Sequence, residues 1–257
     1  MPLLLFALDR LLAPAPPRPR VAFLKGGAFA HRGLHGPDIL ENSKASFSAA
    51  IAGGFGIELD VRSSRDNDVY VFHDDELDRL SQGKGRFSAT SSATLDQTRL
   101  KNSDEMIPRF DAVLNLIAGR ATVLVEVKTG RRSVATLCQG VARALEGYQG
   151  PVAVMSFDAR VPQWFAQNAP HIVRGLVVTE EGPTALPDRA RAAIIRHRDL
   201  WRAKPDFLAY DVEDFPSRFA DAQRRRGLPV LTWTVRTPEQ QARAAAYADG
   251  PIFEVEA

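Results

Sequence analysis

Charged residues alternate with aliphatic ones in two separate stretches of the sequence. Glu58 and Asp60 form the first pair, and Glu126 and Lys128 repeat that spacing further along the chain. Because successive side chains of a β-strand point to opposite faces, the members of each pair share a face. Carboxylates among Val, Ile and Leu are costly to bury unless they are paired or bind a cation. Three converging carboxylates therefore predict a site for a hard divalent cation. The alternative is that Glu126 and Lys128 pair with their neighbours in a purely structural role.

A histidine and an arginine precede these acids in the chain. His31 and Arg32 end a short apolar stretch, and Gly33 permits a tight turn directly after them. Alone, such a histidine is more often a core residue, but its strand adjoins the strand that carries Glu58. Glu41 could hold Arg32 in a bidentate pair, which would leave the guanidinium plane facing a phosphate.

Short aliphatic stretches alternate with amphipathic ones along the 257 residues, and these elements must position the charged groups. Strands that alternate with helices over this length predict a parallel sheet closed into a TIM (β/α)8 barrel. Thr237 followed by Pro238 predicts a helix N-terminus, and Ser43 predicts another. The candidate strands are residues 28–30, 57–61, 69–72, 122–127, 152–157, 174–178, 207–211, 230–235 and 252–255.

One candidate strand, residues 69–72, is too close to its predecessor to run parallel to it. A parallel crossover needs a dozen or more residues, so this segment must return as a hairpin, which leaves eight barrel strands. A turn centred near Asn67 would place His73 opposite Val61, within one residue of Asp60. The hairpin therefore brings a second histidine to the acids.

Composition excludes some classes of function. The formal net charge of +2 is too small to indicate a nucleic-acid partner. Basic clusters at residues 189–202 and 224–226 are interpreted as solvated helix faces, with attraction to anionic lipid or anionic substrate as the alternative. The single cysteine, Cys138, excludes an intrachain disulfide and fits a reducing compartment, which favours a cytoplasmic location.

The first residues form a separate segment. Residues 1–12 are apolar but too short to span a bilayer, which takes about 20 residues, and several prolines follow. We therefore predict an N-terminal appendage over residues 1–20 that packs on the domain, with peripheral membrane contact as the alternative. Residues 21–257 form one predicted barrel domain, and its oligomeric state stays open.

Taken together, these residues resemble the glycerophosphodiester phosphodiesterase family, in the family's order and across residues 30–254. The matching stretches are Ala30-His31-Arg32-Gly33, Glu41-Asn42-Ser43, Ile57 to Val61, Val71 to Arg79, Gln82 to Gly85, Ile107-Pro108, Val125 to Lys128, Ser156-Phe157 and Leu231 to Val235. Two positions depart from the family. Ile39-Leu40 replaces an Ala-Pro pair, and Glu254 stands where aspartate is commoner, so the mouth of the pocket differs.

The resemblance implies a TIM barrel of the phospholipase-C-like phosphodiesterase type with a small insertion, about residues 81–105, after the second strand. It also implies roles for individual residues. The cation (calcium, magnesium or manganese) would bind Glu58, Asp60 and Glu126, and His31 and His73 would be the general acid and base. Arg32 and Lys128 would contact phosphate, and Trp233 would line the substrate site. Glu41 and Asn42 would support these residues.

The predicted reaction is metal-dependent hydrolysis of a small-molecule glycerophosphodiester to glycerol 3-phosphate and an alcohol. Two alternatives stay open. A lysophospholipase D or sphingomyelinase-D-like enzyme would act on a lysolipid, and the apolar N-terminus and the 39–40 loop favour it. A non-catalytic binding barrel is the other.

Overall fold

The computed structural model describes residues 2–130, 133–180 and 186–255. The chain divides into two compact units. The first contains the residues up to Ala28 together with Ala153–Phe253, and the second contains Phe29–Val152 and the residues from Glu254 onward.

Strands and helices alternate along both units. The strands are β1 (Phe29–Ala30), β2 (Gly56–Ser63), β3 (Val69–Val71), β4 (Val123–Val127), β5 (Val152–Ser156), β6 (Val173–Val178), β7 (Phe207–Asp211), β8 (Val230–Val235) and β9 (Gly250–Phe253). The α-helices of the described residues are α1 (Pro2–Leu12), α2 (Arg18–Val21), α3 (Lys44–Ala52), α4 (Ser92–Leu95), α5 (Phe110–Ile117), α6 (Val134–Leu145), α7 (Arg160–Asn168), α8 (Leu186–Ala203), α9 (Arg218–Arg225) and α10 (Pro238–Tyr247).

Eight of the strands in the described chain have a parallel neighbour within their own unit. In the second unit β1 and β4 pair with the two sides of β2. In the first unit β5 to β9 pair successively. The fold class is the TIM (β/α)8 barrel that the sequence predicts, and β3 is the one strand outside the parallel set, as expected.

Two helices begin at the predicted caps. The Ser43 side chain accepts a hydrogen bond from the Ser46 backbone at the start of α3, and the Ser46 side chain returns the contact. Thr237 and Gln240 form the same reciprocal capping box at the start of α10, with Pro238 in the first turn. Such boxes satisfy backbone N–H groups that have no partner within the helix.

The hairpin between β2 and β3 is antiparallel, as predicted, but its register differs from the predicted one. Val61 pairs with Val71 rather than with His73. The turn is centred one residue earlier than expected, because the Ser64 N–H donates to the Asp68 carbonyl over 2.9 Å. His73 therefore lies just beyond the paired residues, next to the Phe72 N–H that donates to the Asp60 carbonyl over 3.0 Å.

The chain between β3 and α5 builds a small apolar core of its own. It contains a 3-10 turn at Phe87–Ala89 and the short helix α4. The predicted 81–105 insertion falls within this segment, and its boundaries stay a prediction. The buried side chains of this core belong to Tyr70, Phe72, Leu77, Leu80, Phe87, Leu95, Leu100 and Ile107.

Helix α1 is fixed to the first unit by a buried carboxylate. Asp9 is fully buried and accepts hydrogen bonds from Trp201 Nε1 and Gln223 Nε2, each over 2.7 Å. Its Oδ1 also lies 2.8 Å from His197 Nδ1. His197 is therefore a buried residue, although its basic neighbourhood was interpreted as a solvated helix face. Within the described ranges, no helix has the length and apolarity that crossing a bilayer requires.

Candidate active site

Three buried carboxylates meet on two neighbouring parallel strands. Glu58 and Asp60 lie on β2, and Asp60 pairs directly with Glu126 of β4. Their relative exposures are 1%, 0% and 7%. One ligand oxygen from each lies within 4.8 Å of the others. The strand alternation thus brings together the three acids that the sequence places on one face.

The electrostatics of these acids are unfavourable in isolation. Burial raises the pKa of Glu58 well above its usual range, and the charges of Asp60 and Glu126 add to the effect. Burial also raises the pKa of Glu126. Burial also acts to raise the pKa of Asp60. The positive charges of Lys128 and Arg32 outweigh it, so the pKa of Asp60 is lowered. The cationic neighbours therefore do not fully compensate the cost of ionising Glu58 and Glu126 beside Asp60.

Lys128 provides part of the compensating charge. Its Nζ lies 2.6 Å from Glu126 Oε1 and 3.1 Å from Asp60 Oδ1. The structural pairing considered from the sequence is thus present. It does not satisfy the cluster. Glu58 Oε1 is buried without a hydrogen bond from the described residues, and the contact of Asp60 Oδ1 with Lys128 is an ion pair without hydrogen-bond geometry. Buried carboxylate oxygens without hydrogen-bond partners are the donor set that a hard divalent cation takes.

His31 follows β1 and is oriented by a carboxylate. Its Nδ1 lies 2.5 Å from Glu254 Oε1, and its Nε2 lies 3.9 Å from Glu58 Oε2. Because an ionised carboxylate only accepts hydrogen bonds, Nδ1 carries the hydrogen and Nε2 faces the acids. Gly33 makes this turn possible: its φ is +79°, and a Cβ there would lie 2.3 Å from Ser46 Oγ.

Arg32 links three acids. Its backbone N–H donates to Glu58 Oε2 over 3.0 Å, and its Nη1 donates to Glu41 Oε1 over 2.8 Å. Its Nε lies 3.3 Å from Asp60 Oδ2. The predicted bidentate pair between Arg32 and Glu41 is wrong. Arg79 takes that place, donating to both Glu41 oxygens over 3.0 and 2.9 Å.

Asn42 holds the central acid in place. Its Nδ2 donates to Asp60 Oδ2 over 2.8 Å, and its Oδ1 accepts from the Asp60 backbone N–H over 3.3 Å. Asn42 adopts a positive φ of 54°, which asparagine tolerates better than most residues. The two contacts fix both the strand and the side chain of Asp60.

His73 is oriented by its neighbour in the chain. Its Nδ1 lies 2.7 Å from Asp74 Oδ1, and Arg79 donates to both Asp74 oxygens over 2.6 and 2.8 Å. Arg62 Nε donates to the His73 carbonyl over 2.6 Å. Burial lowers the pKa of His73 despite the opposing charge of Asp60. The segment that carries this histidine is thus held by several polar contacts.

Trp233 belongs to the other compact unit. It lies on β8, where its Nε1 donates to the Ala209 carbonyl over 2.9 Å. Its ring meets that of Phe157 edge-on, with 5.3 Å between centroids. The role predicted for Trp233 toward substrate stays a prediction.

Four residues of this environment had no role predicted for them from the sequence. Asp74 stands directly after His73, so a search for acids next to each histidine would have found it. Glu254, Arg62 and Arg79 reach their partners through tertiary folding, so sequence spacing does not show which groups they contact.

The fold and the acidic cluster define a TIM barrel with a candidate cation site, and comparison with known proteins gives the family. The sequence model of the glycerophosphoryl diester phosphodiesterase family matches residues 31–253. The chain belongs to this family. This membership confirms the resemblance noted in the sequence and the enzyme class it implied.

Individual relatives are consistent with this family assignment. A glycerophosphodiester phosphodiesterase of Caldanaerobacter subterraneus is 29% identical over 246 residues, which cover 90% of this chain and 95% of that protein. The structure of an Oleispira antarctica phosphodiesterase with the product sn-glycerol-3-phosphate matches at a TM-score of 0.76, with 22% identity and coverage of 90% and 93%. A Thermotoga maritima glycerophosphodiester phosphodiesterase structure matches at 0.67, with 22% identity and coverage of 88% and 93%.

Proposed function

We propose that this chain hydrolyses glycerophosphodiesters to glycerol 3-phosphate and an alcohol, and that it does so with a divalent cation bound to Glu58, Asp60 and Glu126. The observation that carries the proposal is the set of three buried carboxylates whose ligand oxygens lie within 4.8 Å of one another. Two imidazoles, each oriented by a carboxylate of its own, accompany this set.

The donor set fits calcium, magnesium or manganese, because all three accept carboxylate oxygen. When bound, such an ion would polarise a phosphoryl oxygen and offset its charge. Arg32 and Lys128 already lie against the acids and would contribute further positive charge at the phosphate. The Arg32 and Lys128 side chains are already held by ion pairs, so they need little reorganisation when substrate binds.

His31 is proposed as the general base. The contact with Glu254 holds the hydrogen on Nδ1, so neutral His31 presents a lone pair at Nε2 on the side of the acids. That nitrogen can take a proton from the attacking water, whose oxygen bonds to phosphorus as the bond from phosphorus to the alcohol oxygen breaks. Glu254 then stabilises the imidazolium that forms, as an orienting carboxylate does in hydrolytic triads.

His73 is proposed as the general acid. Its Nδ1 is engaged by Asp74, which leaves the opposite ring nitrogen to donate a proton to the leaving alcohol. Burial lowers the pKa of His73, and the hydrogen bond with Asp74 acts in the opposite direction, toward the protonated form that a general acid needs. Arg79 keeps Asp74 in place through two hydrogen bonds.

Activity of the chelated protein tests the proposal. Release of glycerol 3-phosphate should be lost after chelation and restored by calcium, magnesium or manganese. Glu126→Gln should remain inactive with every cation, whereas Glu146→Gln, a matched exposed acid, should behave as wild type. Full turnover in the chelated wild type would contradict the metal requirement.

Variants of the histidines test their roles separately. His31→Ala and His73→Ala should each lose most of kcat, and the exposed His171→Ala serves as their control. Near-full turnover in either site variant would contradict the two-histidine scheme.

The N-terminal segment and the location are proposed on separate grounds. The buried contacts of Asp9 support an appendage over residues 1–20 that packs on the protein rather than anchoring it. A cytoplasmic location is supported by the single cysteine, Cys138, which is buried.

A further inference from the structure

A cavity of about 310 Å³ lies beside the acidic centre in the second unit. It opens between the ends of β2 and β4, the start of α6, and the segment that follows β3. Polar and charged side chains form much of its wall, among them Arg62, Asp75, Glu76, Arg86, Lys128 and Thr129. Its size lies at the small end of ligand sites.

Two residues connect this cavity to the proposed chemistry. Lys128 lines the cavity and places its Nζ against Asp60 and Glu126. Arg62 also lines it and donates to the carbonyl of His73. The cavity therefore borders the acids through Lys128, and it borders the segment that carries the proposed general acid through Arg62.

The wall of the cavity carries both positively and negatively charged side chains. Arg62 already pairs with Asp75 and with the His73 carbonyl. Glu76 and Arg86 face one another across an isolated antiparallel bridge. Among the described residues neither has a side-chain partner, so a guanidinium donor and a carboxylate acceptor are both available at this wall.

We propose that this cavity binds the alcohol moiety of the substrate and selects an uncharged polyol, such as glycerol or inositol. The inference rests on the proposed function and adds the substrate class to it. A hydroxyl group both donates and accepts hydrogen bonds, so a polyol can use Arg86 and Glu76 together. An anionic alcohol would meet Asp75 and Glu76 at close range.

The same wall disfavours the other common alcohols. A quaternary ammonium group is recognised by exposed aromatic faces, but the aromatic residue described on this wall, Phe87, is 1% exposed and stacks on Phe72. Lysophosphatidylcholine carries the same choline group as its alcohol, because its acyl chain lies on the glycerol that stays with the phosphate, so this wall disfavours it for the same reason.

Steady-state kinetics on matched substrates test this inference. Glycerophosphoglycerol and glycerophosphoinositol would be compared with glycerophosphocholine and lysophosphatidylcholine, and kcat/KM should be highest for the two polyol esters. Arg86→Ala and Glu76→Gln should each raise KM for the polyol esters by about tenfold, the effect expected for a hydrogen bond to a charged group. Both variants should leave kcat/KM for glycerophosphocholine unchanged, and the exposed Arg218→Ala serves as control.

The outcomes separate the two levels of the proposal. Hydrolysis that favours glycerophosphocholine or the lysolipid, or equal losses on all substrates in Arg86→Ala, would overturn the polyol site and leave the proposed function intact. Absence of hydrolysis of every substrate with every cation would overturn the proposed function and this inference with it.

Discussion

Replacing Glu254 by glutamine tests how His31 is prepared for proton transfer. The carboxylate oxygen lies 2.5 Å from Nδ1, and Nε2 lies 3.9 Å from Glu58. Glutamine keeps an oxygen acceptor but removes the charge that stabilises the imidazolium. A hydrogen bond to a charged group contributes about 1.5–3 kcal/mol. Since about 1.36 kcal/mol corresponds to a tenfold change in rate, kcat should fall by about 10- to 100-fold in Glu254→Gln.

The assay is the initial rate of glycerol 3-phosphate release at saturating cation, with kcat and KM determined separately. KM should change little, because Glu254 contacts the base rather than the substrate. Glu254→Asp keeps the charge on a shorter side chain and should lose less activity than Glu254→Gln. His171→Ala controls for a histidine far from this contact in the chain. An unchanged kcat in a folded Glu254→Gln protein would refute the orienting role.

Three further predictions concern the scaffold. Asp9→Ala leaves Trp201, Gln223 and His197 without the carboxylate that they contact. Urea unfolding followed by circular dichroism should show a loss of about 3–5 kcal/mol, the cost of breaking a buried charged contact. A loss no larger than that of the exposed Asp221→Ala would contradict this account. Gly33→Ala forces a Cβ to within 2.3 Å of Ser46 at a φ of +79°, so it should lower both kcat and stability, the latter by about 1–3 kcal/mol. At Asp74 burial is outweighed by hydrogen bonds from Arg79 and His73, which lower the pKa from 3.8 to about 2. This stabilisation is present above pH 3.8 and is lost as the pH falls toward 2. The stability difference between wild type and Asp74→Asn should therefore shrink over that window, and a constant difference would contradict the prediction.

Local periodicity accounts for the part of the site that the sequence predicts. Glu58 and Asp60 had to share a face because a strand alternates its side chains, and parallel pairing brings Glu126 level with Asp60. The hairpin that returns His73 followed from chain length alone, because seven residues cannot make a parallel crossover. These conclusions depend on covalent geometry and need no knowledge of distant contacts.

Competition between side chains accounts for what the sequence did not predict. Glu41 has two possible arginine partners, and sequence spacing cannot tell that Arg79 takes the bidentate position from Arg32. Glu254 lies 223 residues from His31 in the chain. Asp9 likewise meets its partners only after the fold has formed. The hairpin register differed because a turn can shift by one residue without any change in hydrophobic pattern.

Manganese binding to the chelated protein tests the central claim most directly, because it does not depend on the choice of substrate. Titration followed by electron paramagnetic resonance should give one bound ion per chain in the wild type and in Glu146→Gln. Asp60→Asn, which removes one charge from the middle of the cluster, should abolish that binding while the protein remains folded. Equal manganese binding by wild type and Asp60→Asn, or none by the wild type, would contradict the assignment of Glu58, Asp60 and Glu126 as the cation site.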